Sequence, residues 1–161
     1  SIRLVDEEGR DVPQGVTGRI FVNNSMTFEG YTGGGNKDNL GDYISSGDVG
    51  HLNSDGLLFI DGRDDEMIIS GGENIFPGEV EDLITGHELV IESAVIGVKD
   101  DEFGQNLKAF VVLTAGAELD ESDVKAHVKA NLASYKAPKE VVFLDALPRN
   151  ATGKVLKRSL A

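Results

Sequence analysis

Cysteine is absent from all 161 residues. That excludes a disulfide framework and any thiolate metal site, and it fits a reducing, cytoplasmic setting. No apolar run approaches the roughly 18–20 residues that a membrane helix needs. The opening Ser1-Ile2-Arg3-Leu4-Val5-Asp6 lacks the charged start and long apolar stretch of a signal peptide. Bases are scarce: 15 Lys and Arg stand against 28 Asp and Glu, a formal net charge of −13. The basic footprint of a nucleic-acid binder is therefore missing, and the acid excess reads as a solubility feature. The three histidines, His51, His87 and His127, share no ligand spacing. His87-Glu88 is not the zinc motif His-Glu-x-x-His, because Ile91 stands where the second histidine belongs. Gly33-Gly34-Gly35 is not a phosphate loop, since Asn36 separates it from Lys37. No serine sits in Gly-x-Ser-x-Gly. No metal ligand is expected.

What is present suffices for a packed core: 40% of residues are hydrophobic, in a length that suits one ordinary domain or two small ones. Residues 1–22 read as strands separated by turns at Gly9 and at Pro13-Gln14-Gly15. Residues 23–42 are rich in Gly, Asn and Asp and read as a loop. Residues 43–48 and 57–60 read as a hairpin across Asn53-Ser54-Asp55-Gly56. After Asp65 helices alternate with strands. Pro77 suits a first helical position, and Val80, Leu83 and Ile84 form an apolar face up to Gly86. Strands follow at 93–98 and 107–113. Asp120 caps a second helix whose face runs Val124, Val128, Leu132, Tyr135 until Ala137-Pro138 stops it. A third strand at 141–144 and a final helical turn or two over 155–161 complete the chain.

Three stretches carry chemistry. Ser46-Gly47-Asp48 offers a carboxylate beside a glycine at a strand end, able to take hydrogen bonds from two ribose hydroxyls. Read alone, it is an aspartate ordering its own turn. Gly62-Arg63-Asp64-Asp65 places fixed guanidinium donors where ribose or phosphate oxygens could meet them; the bland alternative is a surface pair with Asp61 or Asp64. Pro148-Arg149-Asn150-Ala151-Thr152-Gly153-Lys154 ends on a lysine in a tail that is locally basic, with six bases against two acids from Lys136 onward. It is not a Walker A loop, because Pro148 takes the first glycine position and Val155 follows the lysine. Between the last two stretches, Ser70-Gly71-Gly72-Glu73-Asn74-Ile75 reads as a hairpin turn whose glycines also remove side chains.

In order and spacing these stretches resemble the adenylate-forming superfamily, and Ser70 to Ile75 looks most like its acyl-CoA ligases. The family has Thr where Ser46 stands. The resemblance covers nearly the whole chain, but only the family's C-terminal portion. It implies an α+β fold: residues 1–63 as the end of the large domain's β-barrel subdomain, 64–66 as a hinge, and 67–161 as a small α+β lid domain. It implies ribose contacts at Asp48 and Arg63, and a hinge residue at Asp65. Gly71, Gly72 and Glu73 would lie along the channel for the pantetheine arm of coenzyme A, and Lys154 would reach the reacting carboxylate and α-phosphate. The parent reaction would join a carboxylic acid to CoA through an acyl-adenylate, using ATP, with AMP as product and Mg²⁺ as the phosphates' counter-ion. A fatty acid is the first expectation for the acid, and an aromatic acid the second. The partner would be the large domain ahead of this portion, with small-molecule substrates, and the 161 residues alone would be inactive. Two alternatives stand beside this: a lid-like binding module without catalysis, and the adenylation domain of a peptide synthetase.

Overall fold

The computed structural model of the protein describes residues 1–23 and 38–161. It forms two compact units, Ser1–Asp65 and Glu66–Ala161. The fold is α+β, and among the described residues both α-helices lie in the second unit.

The first unit is an antiparallel sheet of β1 (Ile2–Val5), β2 (Gly18–Val22), β3 (Asn39–Leu40), β4 (Tyr43–Leu52) and β5 (Leu58–Arg63). β4 is central, with β2 on one edge and β3 and β5 along the other. The β4–β5 hairpin is longer than expected. Asn53 explains how it closes: its side-chain oxygen accepts the N–H groups of Asp55 and Leu57, and Gly56 turns at φ 77°. β3 lies inside the stretch expected to be loop, where Leu40 pairs with Tyr43 across a tight turn. The rest of that loop expectation falls on residues 24–37, outside the described residues.

The second unit is built on a long ladder. β8 (Val90–Asp100) runs antiparallel to β9 (Gly104–Leu113), both longer than their apolar runs suggest. Asp100 accounts for the extension. Its Oδ1 accepts the N–H groups of Glu102 and Phe103, so pairing continues down to Gly104. β6 (Ile68–Ser70) and β7 (Glu73–Ile75) form a short hairpin that meets β9 at Gly104, and β10 (Glu140–Phe143) pairs parallel with β9.

Alternating side chains give this sheet two cores. On one face Ile68, Ile75, Val95, Leu107 and Val111 pack with Val80 and Ile84 of α1 (Pro77–Thr85) and Val124 and Val128 of α2 (Glu121–Asn131). On the other, Ala94, Ile96, Phe110 and Val112 are covered by Leu147, Val155 and Leu160 of the last segment. Asp120 and Asp123 form a reciprocal capping box at the start of α2. That helix ends at Asn131, earlier than Ala137-Pro138. The Asn131 side chain donates to the carbonyl of His127 and the chain turns extended at Leu132. Tyr135 therefore leaves the expected apolar face and sits exposed on a 3-10 turn, Ser134–Lys136. Of the final helical turn or two expected over 155–161, the last residues hold one, the 3-10 turn Lys157–Ser159.

Ile84 is 1% exposed, while Ile69 on the hairpin is 45% exposed. Ile84→Ala should cost about 2–5 kcal/mol by leaving a cavity under α1, and Ile69→Ala should stay within about 0.5 kcal/mol. Denaturant melts of the two variants check this ranking.

Candidate functional site

In the first unit the hairpin register sets Asp48 directly opposite Arg63. The Arg63 Nη1 donates to Asp48 Oδ1 at 3.2 Å, and its Nε donates to Asp65 Oδ1 at 3.2 Å. Arg63 thus spans Asp48 and Asp65, and neither Asp61 nor Asp64 is its partner. Asp64 instead binds Arg19 at 2.7 Å, and Asp61 binds His51 and the Thr17 hydroxyl. Gly47 makes room for the guanidinium. It turns at φ 84°, and a Cβ there would stand 3.1 Å from Arg63 Nη2. The Ser46 hydroxyl accepts the Asp48 N–H at 3.1 Å, fixing the carboxylate at the turn. The Asp65 carboxylate first, and then Asp48, raise the Arg63 pKa against the opposing effect of burial. Both Arg63 and Asp48 remain partly exposed, so the pair adds little stability and presents one anion and one cation side by side at the surface.

Sequence reasoning missed the order around His51. Its Nδ1 lies 2.9 Å from Asp61 Oδ1, and its ring stacks on Phe59 at 5.5 Å. The signal was available, since the hairpin register makes His51 and Phe59 cross-strand partners.

In the second unit Gly71 and Gly72 form the β6–β7 turn with φ 59° and 85°. Two successive left-handed residues make a hairpin turn that glycine serves without strain. A Cβ on Gly72 would meet no described atom within 4 Å, so the turn alone accounts for that glycine inside this chain. Glu73 is exposed beside it. The Gly71 N–H donates to the Phe103 carbonyl at 2.9 Å, tying the hairpin to the Asp100 turn.

Lys154 closes a second, separate turn of that unit. Asn150 organises it: the side-chain oxygen accepts the N–H groups of Thr152 and Lys154 and the Thr152 hydroxyl. The Asn150 N–H donates to the Lys154 carbonyl, and Leu156 N–H to the Pro148 carbonyl at 2.7 Å. The result is a small hairpin with Arg149 paired to Val155. Lys154 is exposed, and its ammonium binds no described carboxylate of its own unit. A charged amine on a long stem thus stands on an ordered turn.

The expected residues therefore fall into an Asp48–Arg63–Asp65 cluster, a glycine hairpin and a lysine hairpin. His87 and His127 meet edge-on at 5.1 Å and bond backbone atoms. Among the described residues no group of three or more His, Asp or Glu is placed to hold a metal ion.

Residues 79–154 match the AMP-binding enzyme C-terminal domain. The chain is 42% identical to the indoleacetate–CoA ligase of Aromatoleum aromaticum, over 98% of this chain and 31% of that protein. It is 39% identical to a 2-succinylbenzoate–CoA ligase of Bacillus cereus, over 95% of this chain and 30% of that one. The fold is similar to ATP-bound MatB from Rhodopseudomonas palustris: TM-score 0.87, 37% identity, 99% of this chain and 33% of that chain. The protein belongs to the adenylate-forming superfamily and corresponds to the C-terminal portion of its acyl-CoA ligases. It spans about a third of the length of these relatives.

The Asp100 carboxylate is held below the usual carboxylate range, first by the Phe103 N–H and then by Lys139 at 3.0 Å. Its contribution is complete above the unfolded carboxylate pKa and is lost as pH falls through the lower, folded value. Acid titration followed by the amide resonances of Glu102 and Phe103 should show a midpoint below that of a free aspartate. Lys139→Ala should move it upward.

Proposed function

We propose that the chain is the C-terminal third of an ATP-dependent acyl-CoA ligase. What supports this is that one chain carries both an Asp48–Arg63 cluster suited to ribose hydroxyls and an exposed lysine on an ordered hairpin, and is similar over nearly all its length to CoA ligases. Asp48 accepts hydrogen bonds from the ribose hydroxyls, and Arg63 supplies donors beside them. In the first half-reaction a carboxylate oxygen of the acid bonds to the α-phosphorus of ATP, and pyrophosphate leaves. The Lys154 ammonium stabilises the charge that develops as this bond forms. In the second, the thiol of CoA bonds to the acyl carbonyl carbon and AMP leaves. Gly71, Gly72 and Glu73 line the path of the pantetheine arm there. Asp65, on a 3-10 turn at the boundary of the two units, is the hinge between the half-reactions. Residues 1–63 serve as the end of the large domain and 67–161 as its lid.

A fatty acid is the proposed acid. An aromatic acid is the second reading, favoured by relatives named for indoleacetate and 2-succinylbenzoate. Magnesium would accompany ATP as the phosphates' counter-ion, but the described residues offer it no ligand cluster, so none is assigned to it. No described helix is long and apolar enough to cross a membrane, and the proposed setting is the cytoplasm. The large domain of the same protein is the proposed partner, and the 161 residues alone are expected to release no AMP.

In a full-length ligase ending in this chain, Lys154→Ala should slow acyl-adenylate formation roughly 10²–10³-fold, a loss of about 2.7–4 kcal/mol. Thioester formation from supplied acyl-adenylate should survive. Equal damage to both half-reactions would contradict the role. Gly72→Leu should do the reverse, blocking the thioester step while adenylation continues. A loss of both activities with a lowered melting temperature would leave Gly72 a turn residue only.

A further inference from the structure

The lysine hairpin is held at both ends by ion pairs to the body of its own unit. At the leading end, Arg149 Nη1 donates to the Gly153 carbonyl at 2.7 Å across the hairpin, and its Nη2 pairs with Glu92 of β8. Glu92 also accepts the Leu147 N–H. At the trailing end, Lys157 lies three residues beyond Lys154. Its Nζ is 2.7 Å from Glu81 Oε1 and 2.9 Å from Glu66 Oε2.

Glu81 is itself doubly engaged. It projects from α1, and the same Oε1 accepts the backbone N–H of Val95 at 2.7 Å. β9 and its partners occupy the other side of β8, so this N–H belongs to an otherwise open sheet edge. One ammonium therefore joins four pieces of chain: the first residue of the unit, the helix α1, the edge of β8 and the segment leaving the lysine hairpin. Lys157 is only 24% exposed at its side chain. Burial would push its pKa down, but Glu81 and Glu66 outweigh that and hold it above the usual lysine value, so the ammonium stays charged through neutral pH.

A solvated lysine in a basic tail would not be enclosed between two carboxylates. Nor is edge protection a sufficient account, because Glu81 already covers the Val95 N–H without the lysine. What Lys157 adds is the attachment of the hairpin's exit. We propose that Lys157 is a positioning residue: by binding Glu81 and Glu66 it fixes the Lys154 hairpin against α1 and β8, and so sets where the Lys154 ammonium can reach. This rests on the adenylation role proposed for Lys154. Its physical basis is that displacing a catalytic group by about 1 Å can cost roughly 10²-fold in rate.

Two measurements separate the inference from that reading. In the 161-residue chain, Lys157→Met should speed hydrogen exchange at the Asn150 and Leu156 amides, which close the hairpin, by about tenfold or more. Glu81→Gln, which keeps an acceptor for Val95 and removes only the charge, should speed the same two amides. Lys157→Arg should leave them near wild type. In a full-length ligase ending in this chain, Lys157→Met should lower kcat for acyl-adenylate formation roughly 10- to 100-fold. The KM for ATP and the thioester step should change less than about twofold, and Lys157→Arg should restore most of the rate. Lys154→Ala is the reference in the same ligase. If it slows adenylation but Lys157→Met does not, the positioning role is overturned. An equal loss in both half-reactions with faster exchange throughout α1 and β8 also overturns it, in favour of general stability. If Lys154→Ala itself leaves adenylation intact, the adenylation reading fails, and the exchange of Asn150 and Leu156 alone decides whether Lys157 clamps the hairpin.

Discussion

The ladder between β8 and β9 is the constraint on which the second unit depends. Its length is set by one side chain, Asp100, which draws the two strands into a turn so tight that pairing continues to Gly104. Because strand side chains alternate, the ladder gives the unit two faces and divides the labour between them. Val95 and Val111 point to the side that the helices cover; Ala94, Ile96 and Val112 point to the side that the C-terminal segment covers. The lysine hairpin therefore rests on the face opposite the helices, while its charged anchors reach back to β8 and α1. The glycine hairpin depends on the same turn through the Phe103 carbonyl. A change at Asp100 would be felt by the glycine hairpin first.

In the first unit a charge divided between two partners does comparable work. Arg63 is shared between Asp48, in the sheet, and Asp65, in the 3-10 turn at the end of the unit. Each contact is long and partly exposed, so neither is strong. The arrangement keeps the guanidinium over Gly47 and leaves donors and acceptors on the surface. Neighbouring charges are committed elsewhere: Arg19 to Asp64 and Asp38, and Asp61 to His51 and Thr17. With Asp61 and Asp64 committed there, Arg63 is left to Asp48, opposite it in the hairpin register, and to Asp65.

The parts legible in sequence were those with a local cause. Pro77 and the spacing of Val80, Leu83 and Ile84 specify α1; Asp120 and Asp123 specify the start of α2; Gly71-Gly72 specifies a hairpin. The parts missed had causes distant in sequence or hidden in a side chain's own hydrogen bond. The end of α2 is decided by Asn131 turning back on His127, which no periodicity reveals. The pairing of Arg63 with Asp48 is set by hairpin register. Lys157 looked like one base among six in a basic tail, because its partners, Glu66 and Glu81, lie 91 and 76 positions away (157 − 66 and 157 − 81). The motif residues were found by their order along the chain, and the geometry then separated them into distinct clusters.

The central claim is that these residues supply the ribose contacts and the mobile cation of an adenylation reaction. The most direct measurement is a transplant. The segment of the indoleacetate–CoA ligase that matches this chain, 42% identical over 98% of it, is replaced by the 161 residues. Acyl-adenylate formation from indoleacetate and ATP is then followed in a single turnover. The account predicts a burst of adenylate that is present with this chain and absent when the segment is deleted. A folded, ATP-binding chimera that forms no adenylate would contradict it.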